Sequence, residues 1–170
     1  MFERIRNRLH DTRALGTLMT TAEKEARRMG DGPPGAEHFL LAAPAHPDGA
    51  ARRVLDRLGV DASVLGAAIE AQHAAALAPL GLFPEANASA TVATSDAPLP
   101  TPPPYDARES GRALLRHMAD MQGGAPFSSA RVLDAVAASE HGVAVRTLRA
   151  LGVERGALRA AVATECRCGE

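Results

Sequence analysis

The stretch that decides the fold is "DGAARRVLDRLGVDASVLGAAI", residues 48–69, because it occurs twice. Residues 141–162, "HGVAVRTLRALGVERGALRAAV", align with it without a gap at an offset of 93. Gly49/Gly142, Ala51/Ala144, Arg53/Arg146 and Leu55/Leu148 match, as do Leu58-Gly59-Val60 and Leu151-Gly152-Val153. Carried back at the same offset, the alignment pairs Leu40 with Leu133, Ala42 with Ala135 and Gly30 with Gly123. From 35 to 69, 13 of 35 positions are identical, and the order of helix, glycine stop and helix is kept. An internal repeat of this kind points to a duplicated unit too small to bury a good core alone. The expectation is an all-α fold: eight helices as two pseudo-symmetric four-helix repeats packed into one domain.

Outward from the repeat, the helical pattern continues. Leu15, Leu18, Met19, Ala22, Ala26 and Met29 form an i, i+3, i+4 stripe over residues 12–29. Gly30 and Gly32 stop it, and Pro33–Pro34 block a restart before Gly35. A short helix from about Ala36 must end before Pro44. Asp48 and Asp61 stand where N-caps of the next two helices are needed, with Gly59 between them. Composition then changes. Residues 79–104 hold seven of the twelve prolines and read as a linker with an extended, polyproline-like end. Such a segment can also be an SH3-type ligand, though it holds no basic residue. Helical signals return at Asp106 and Glu109, spaced as a capping box. Leu114, Leu115, Met118 and Met121 form the next stripe, and Ser128 or Ser129 can cap a short helix through Val136. The units are repeat 1 at about 11–78, the linker at about 79–104, repeat 2 at about 105–165 and a tail at 166–170.

Composition supports helices and narrows the partners. The 170 residues are 46% apolar, yet there are only four Phe, one Tyr and no Trp. Alanine and leucine must fill the core, which suits closely packed helices more than a sheet. A formal charge of −1 predicts no strong attraction to nucleic acid or anionic membrane. Arg4, Arg6, Arg8 and Arg13 do cluster near the start. No apolar run approaches the roughly 20 residues that span a bilayer. "MFERIRNRLHD" lacks a signal-peptide core, so a cytoplasmic location is expected. Cys166 and Cys168 form a C-x-C with no second pair to complete a metal site, and read as reduced thiols on a frayed tail.

Together these residues resemble a known family. "EARRMGDGPPGAEHFLLAA…DGAARRVLDRLGV" is similar to the N-terminal domain of the bacterial Clp unfoldases, whose pattern "EA…LG…IGTEHLLLGL…EGVAAKVLESLGV" occurs twice. The likeness covers nearly the whole chain except the enlarged linker and the cysteine tail. The second copy departs from it, with "SSARVL" where "GTEHLL" would stand. The resemblance implies an all-α double repeat that recruits substrates and adaptors to an ATP-driven ring. No G-x-x-x-x-G-K-[ST] occurs, so no ATP hydrolysis and no cofactor are expected. The chain looks like a free-standing docking domain that modulates Clp-dependent proteolysis by delivering or sequestering clients. The alternative is a protein that sequesters cyclic peptide antibiotics directed at this domain.

Two readings of Glu37 and His38 stay open. In one, Glu37 favours the positive end of a helix and His38 packs beside Phe39-Leu40-Leu41. In the other, which the resemblance implies, Glu37 is the family's phosphoarginine-binding glutamate and Thr12 its threonine partner. Paired hydrogen bonds to a guanidinium and a helix N-terminus for the phosphate make that chemistry reasonable. The second copy lacks the glutamate, since Ala130 stands there, and its threonine position falls at Tyr105 or Asp106. The resemblance also places Phe2 and Tyr105 near the face that binds cyclic peptides. No H-E-x-x-H and no Gly-x-Ser-x-Gly occurs, and His10, His46, His73, His117 and His141 read as scattered, mostly surface positions. No enzyme activity is expected.

Overall fold

The apolar stripe of the first helix sets the architecture. The computed structural model describes residues 2–80, 107–121 and 126–168, with side chains described for 11–79, 107–121 and 126–167. α1 spans Phe2–Arg28 and buries Leu18, Met19, Ala22 and Ala26. It begins well before the stripe that predicts it, and Leu15, expected in that stripe, is 38% exposed while Ala14 is buried. Gly30 ends the helix at φ +75°, a conformation natural to glycine. The Asp31 amide then donates to Ala26 O (2.8 Å) and the Gly30 amide to Arg27 O (3.1 Å). These two bonds are a Schellman closure, and they fix where Asp31 stands.

α2 (Ala36–Ala42) follows, ended as expected ahead of Pro44, which opens a 3-10 turn at Ala43–Ala45. α3 covers Ala50–Arg57, and the Asp48 carboxylate accepts the Ala50 amide at 3.1 Å beside its start. Asp61 accepts the Ser63 amide at 2.8 Å and starts a 3-10 turn, Ala62–Val64, that leads into α4 (Leu65–Leu77). After the undescribed segment come α5 (Glu109–Met121), α6 (Ala130–Ala138), α7 (Val143–Ala150) and α8 (Arg155–Cys168). The described residues hold eight α-helices and no strand. The Leu-Gly-Val stops close alike: Gly59 has φ +73° and Gly152 +79°, and the Val60 and Val153 amides bond back to Leu55 O and Leu148 O.

α2 and α6 lie at the centre. α2 packs on α1, α5, α6 and α7, while α6 packs on α3, α5 and α8. Phe39, Leu40, Leu133 and Val132 are fully buried there. Full burial of one such side chain contributes about 1.5–3 kcal/mol relative to exposure. One contiguous core draws on helices from both ends of the chain, including Leu55, Leu65, Leu148 and Leu158. The outer pairs cross over: α3 packs on α8, and α4 on α7. Glu165 of α8, 8% exposed, receives Arg53 Nε of α3 at 2.6 Å, with Arg57 Nη2 at 3.6 Å. No helix of the described residues is long and apolar enough to cross a membrane.

Three local expectations need correction. Of the two serines expected to cap α6, Ser128 Oγ accepts the Ala130 amide at 3.4 Å, but the Ser129 hydroxyl makes no cap bond and turns instead to Asp48. His46 is 8% exposed, not a surface residue; its Nε2 lies 3.2 Å from Ala14 O and its ring packs on Phe127 at 5.0 Å. α8 runs through Cys168, so the cysteines sit on a helix rather than a tail. Cys166 is partly buried against the core, and burial pushes its thiol up. The Asp106 cap, Tyr105 and the linker beyond 80 lie outside the described residues.

Candidate functional site

Among the described residues, the turn between α1 and α2 holds the most buried carboxylate, Glu37, and the most buried histidine, His38. Gly35 caps α2 in an extended conformation. Glu37, in the first turn, folds its carboxylate back over that glycine: a Cβ at position 35 would meet Glu37 Oε1 at 2.5 Å. Glu37 is 6% exposed and His38 is fully buried. The Gly35 amide donates to His38 Nδ1 at 2.9 Å. His38 thus occupies the third helical position and takes up the orphan amide of the cap, as the acidic residue of a capping box would. Because Nδ1 accepts, the neutral ring carries its proton on Nε2. That atom lies 3.1 Å from Asp31 Oδ2, without the alignment of a full hydrogen bond. Burial lowers the imidazole below its ordinary 6.5, against the opposing pull of Glu37 and Asp31.

A cation from the far half completes the cluster. The Arg108 amide donates to Pro34 O at 3.0 Å. Its guanidinium lies 2.6 Å from Asp31 Oδ1 and 3.6 Å from Glu37 Oε1. Ser110 Oγ accepts the Ala36 amide at 3.3 Å. Gly111 permits this approach, since a Cβ there would meet Pro34 O at 2.6 Å and the Phe39 ring at 3.1 Å.

Donor atoms of Asp31, Glu37 and His38 lie within 4.8 Å of one another, close enough in principle for a metal ion. The hydrogen bonding argues against one. With Nδ1 accepting an amide proton, a metal at Nε2 would need the ring stripped of both protons, the reverse of the usual arrangement in which the second nitrogen donates. The two carboxylates already face a guanidinium, whose planar fork suits them.

The expected site residues fall in different places. Thr12 is exposed on α1, next to Asp11, whose carboxylate accepts the Phe127 amide at 2.8 Å. Glu37 lies past the other end of α1. From Thr12 to Arg28 the helix rises about 24 Å. The structure therefore does not bring Thr12 and Glu37 together as one phosphoarginine site. Phe2 begins α1, and its side chain, like Tyr105, lies outside the description. Arg108, Asp31 and Ser110 escaped the sequence reading. Asp31 alone carried a signal, in the glycine stop just before it.

Ser129, His46 and Asp48 form an arrangement that is structural in its geometry. Ser129, fully buried, donates its hydroxyl to Asp48 Oδ1 at 2.5 Å and accepts the Ala51 amide at 3.0 Å. His46 Nδ1 lies 3.1 Å from the same Asp48 oxygen, so the serine faces the acid rather than the imidazole that would have to activate it. Burial works to raise the Asp48 carboxyl, but the Ser129 hydroxyl and amide, the Ala50 amide and His46 outweigh it and hold it below its ordinary value.

No protein-family model matches the chain, and no curated protein matches it.

Proposed function

We propose that the chain is a non-enzymatic binding module, built as two pseudo-symmetric four-helix repeats and related to the substrate- and adaptor-recruiting domain of Clp unfoldases. It would act in the cytoplasm on Clp components, adaptors or client proteins. The observation that carries the reading is that α3 (Ala50–Arg57) and α7 (Val143–Ala150) are 93 residues apart at both ends. Exchanged contacts add support. The start of α5 reaches Pro34, and Asp11 of α1 reaches Phe127, which stands 93 residues after Pro34.

Within this reading, Glu37 holds the two halves together through Arg108 instead of receiving phosphoarginine. Calorimetry with phosphoarginine should give equal heats for wild type and Glu37→Ala; saturable heat lost in the variant would return Glu37 to the role of receptor. For the wider reading, affinity purification should recover a Clp subunit, an adaptor, or a client whose degradation rate changes with the module present. Recovery of none of these would sink it.

A further inference from the structure

The Glu37 carboxylate stands between two partners and bonds to neither. Its Oε1 lies 3.7 Å from His38 Nδ1 and 3.6 Å from Arg108 Nη1. Both distances exceed a hydrogen bond, and the carboxylate makes none among the described residues. A buried carboxylate placed this way gains from any donor that comes within reach.

The protonation of His38 decides which donor that is. In the neutral ring Nδ1 is an acceptor and holds the Gly35 amide at 2.9 Å. A lone pair and a carboxylate oxygen do not bond each other, so Glu37 is left to Arg108. In the charged ring both nitrogens carry protons. Nδ1 then meets the Gly35 N–H as one donor meets another, and that bond must open. Glu37 Oε1 is the acceptor beside the new N–H. Nε2 already faces Asp31 Oδ2 at 3.1 Å and needs no rearrangement. The charged groups facing the ring are Glu37 on its own helix, Asp31 from the turn after α1 and Arg108 ahead of α5. Among the described residues, no charge from α4, α6 or α7 acts on it.

We propose that His38 is a proton-operated switch on the seam between the halves. Neutral, it fastens the start of α2 and leaves Glu37 to Arg108; protonated, it releases the Gly35 amide and takes Glu37 for itself. Arg108 then keeps Asp31, 2.6 Å from its guanidinium, and loses Glu37. Because Arg108 belongs to the far half and its amide is tied to Pro34, acid loosens one tie across the seam. Burial holds the imidazole below its ordinary 6.5, against the pull of Glu37 and Asp31, so the exchange falls on the acid side of that value. The inference goes beyond the binding-module reading and does not depend on it.

The test follows the full chain, labelled with ¹⁵N, by NMR from about pH 7.5 to about pH 4.5, on either side of the ordinary histidine range. Two-bond correlations should show His38 Nδ1 passing from acceptor to donor while the chain stays helical. The Gly35 amide proton should move upfield with the same midpoint as its bond opens. A double-mutant cycle of Arg108→Ala and Glu37→Gln, read by chemical denaturation, should give a coupling of about two- to fivefold in the unfolding constant above the midpoint. Below the midpoint the coupling should vanish. Glu37→Gln alone should lower the midpoint, since a neutral amide does not favour the imidazolium. In a His38→Gln background, where the side chain accepts the Gly35 amide at any pH, the coupling should be equal at both ends of the range. A Gly35 amide that stays put while His38 titrates, or a coupling unchanged across the midpoint, would overturn the proposal. So would a midpoint that does not fall in Glu37→Gln, a pH-dependent coupling that persists in His38→Gln, or protonation of His38 only as helicity is lost.

Discussion

The α1–α2 turn and the stretch aligned with it before α6 share almost no chemistry. In the first, Asp31, Glu37 and His38 meet Arg108 across the halves. In the second, Ala130 replaces Glu37, Arg131 replaces His38, and Leu15 occupies the position of Arg108. The apolar positions behave differently: Leu40 and Leu133 are both buried, as are Leu55 and Leu148, and Leu65 and Leu158. Burial of carbon constrains both stretches, because both fill the same core. Under the proposed repeat, polar groups are free to diverge once one stretch can hold the seam.

The comparison can be broken most sharply at Gly111. An added methyl there would sit 2.6 Å from a backbone oxygen that cannot rotate away. Gly111→Ala should cost about 1–3 kcal/mol, the usual penalty of overpacking, read by chemical denaturation. Next comes the clasp. Arg108→Ala leaves Asp31 and the buried Glu37 without their cation and should cost about 1–2 kcal/mol, reduced because the arginine is partly exposed. Leu15→Ala, at the matching position, should stay within about 0.5 kcal/mol. Equal losses at the two positions would show that the charged cluster adds nothing.

A smaller effect of opposite sign is expected on α7. Thr147 is fully buried and its hydroxyl has no hydrogen-bond partner among the described residues, whereas Val54 stands at the matching place on α3. Thr147→Val should stabilise by about 1 kcal/mol, by sparing an unmet hydroxyl its desolvation, read as a higher melting temperature. The smallest effect is the pH dependence of His38. Its folded pKa is lowered by burial, so below 6.5 the unfolded chain takes up a proton that the folded chain resists. Stability should be fully present above that pH and fall as the pH drops below it. His38→Gln, which can still accept the Gly35 amide, should flatten the slope between pH 7 and 5; an unchanged slope would assign it to other groups.

The sequence made the helices legible because their signals are local. Glycine stops at 30, 59 and 152, the proline at 44 and the stripe through Leu18, Met19, Ala22 and Ala26 each act within a few residues. The candidate site was legible only in its local part, Glu37 and His38 at a helix start. Arg108 pairs with Asp31 over a separation of 77 residues, and Ser129 with Asp48 over 81. A serine before a helix reads as a cap until a distant carboxylate competes for its hydroxyl. His46 looked exposed for the same reason: Ala14 O, which faces its ring nitrogen, is 32 residues away.

The crossed packing of α3 on α8 and α4 on α7 has a further consequence for the connectivity of the chain. Each half leaves uncovered the faces that only the other half can cover, so the covalent link between 80 and 107 is not what keeps them side by side. A protease cut within that interval should leave the two pieces associated and co-eluting. The pieces made separately should gain helicity only on mixing, so the protein would behave as an intramolecular heterodimer whose two subunits happen to share one chain.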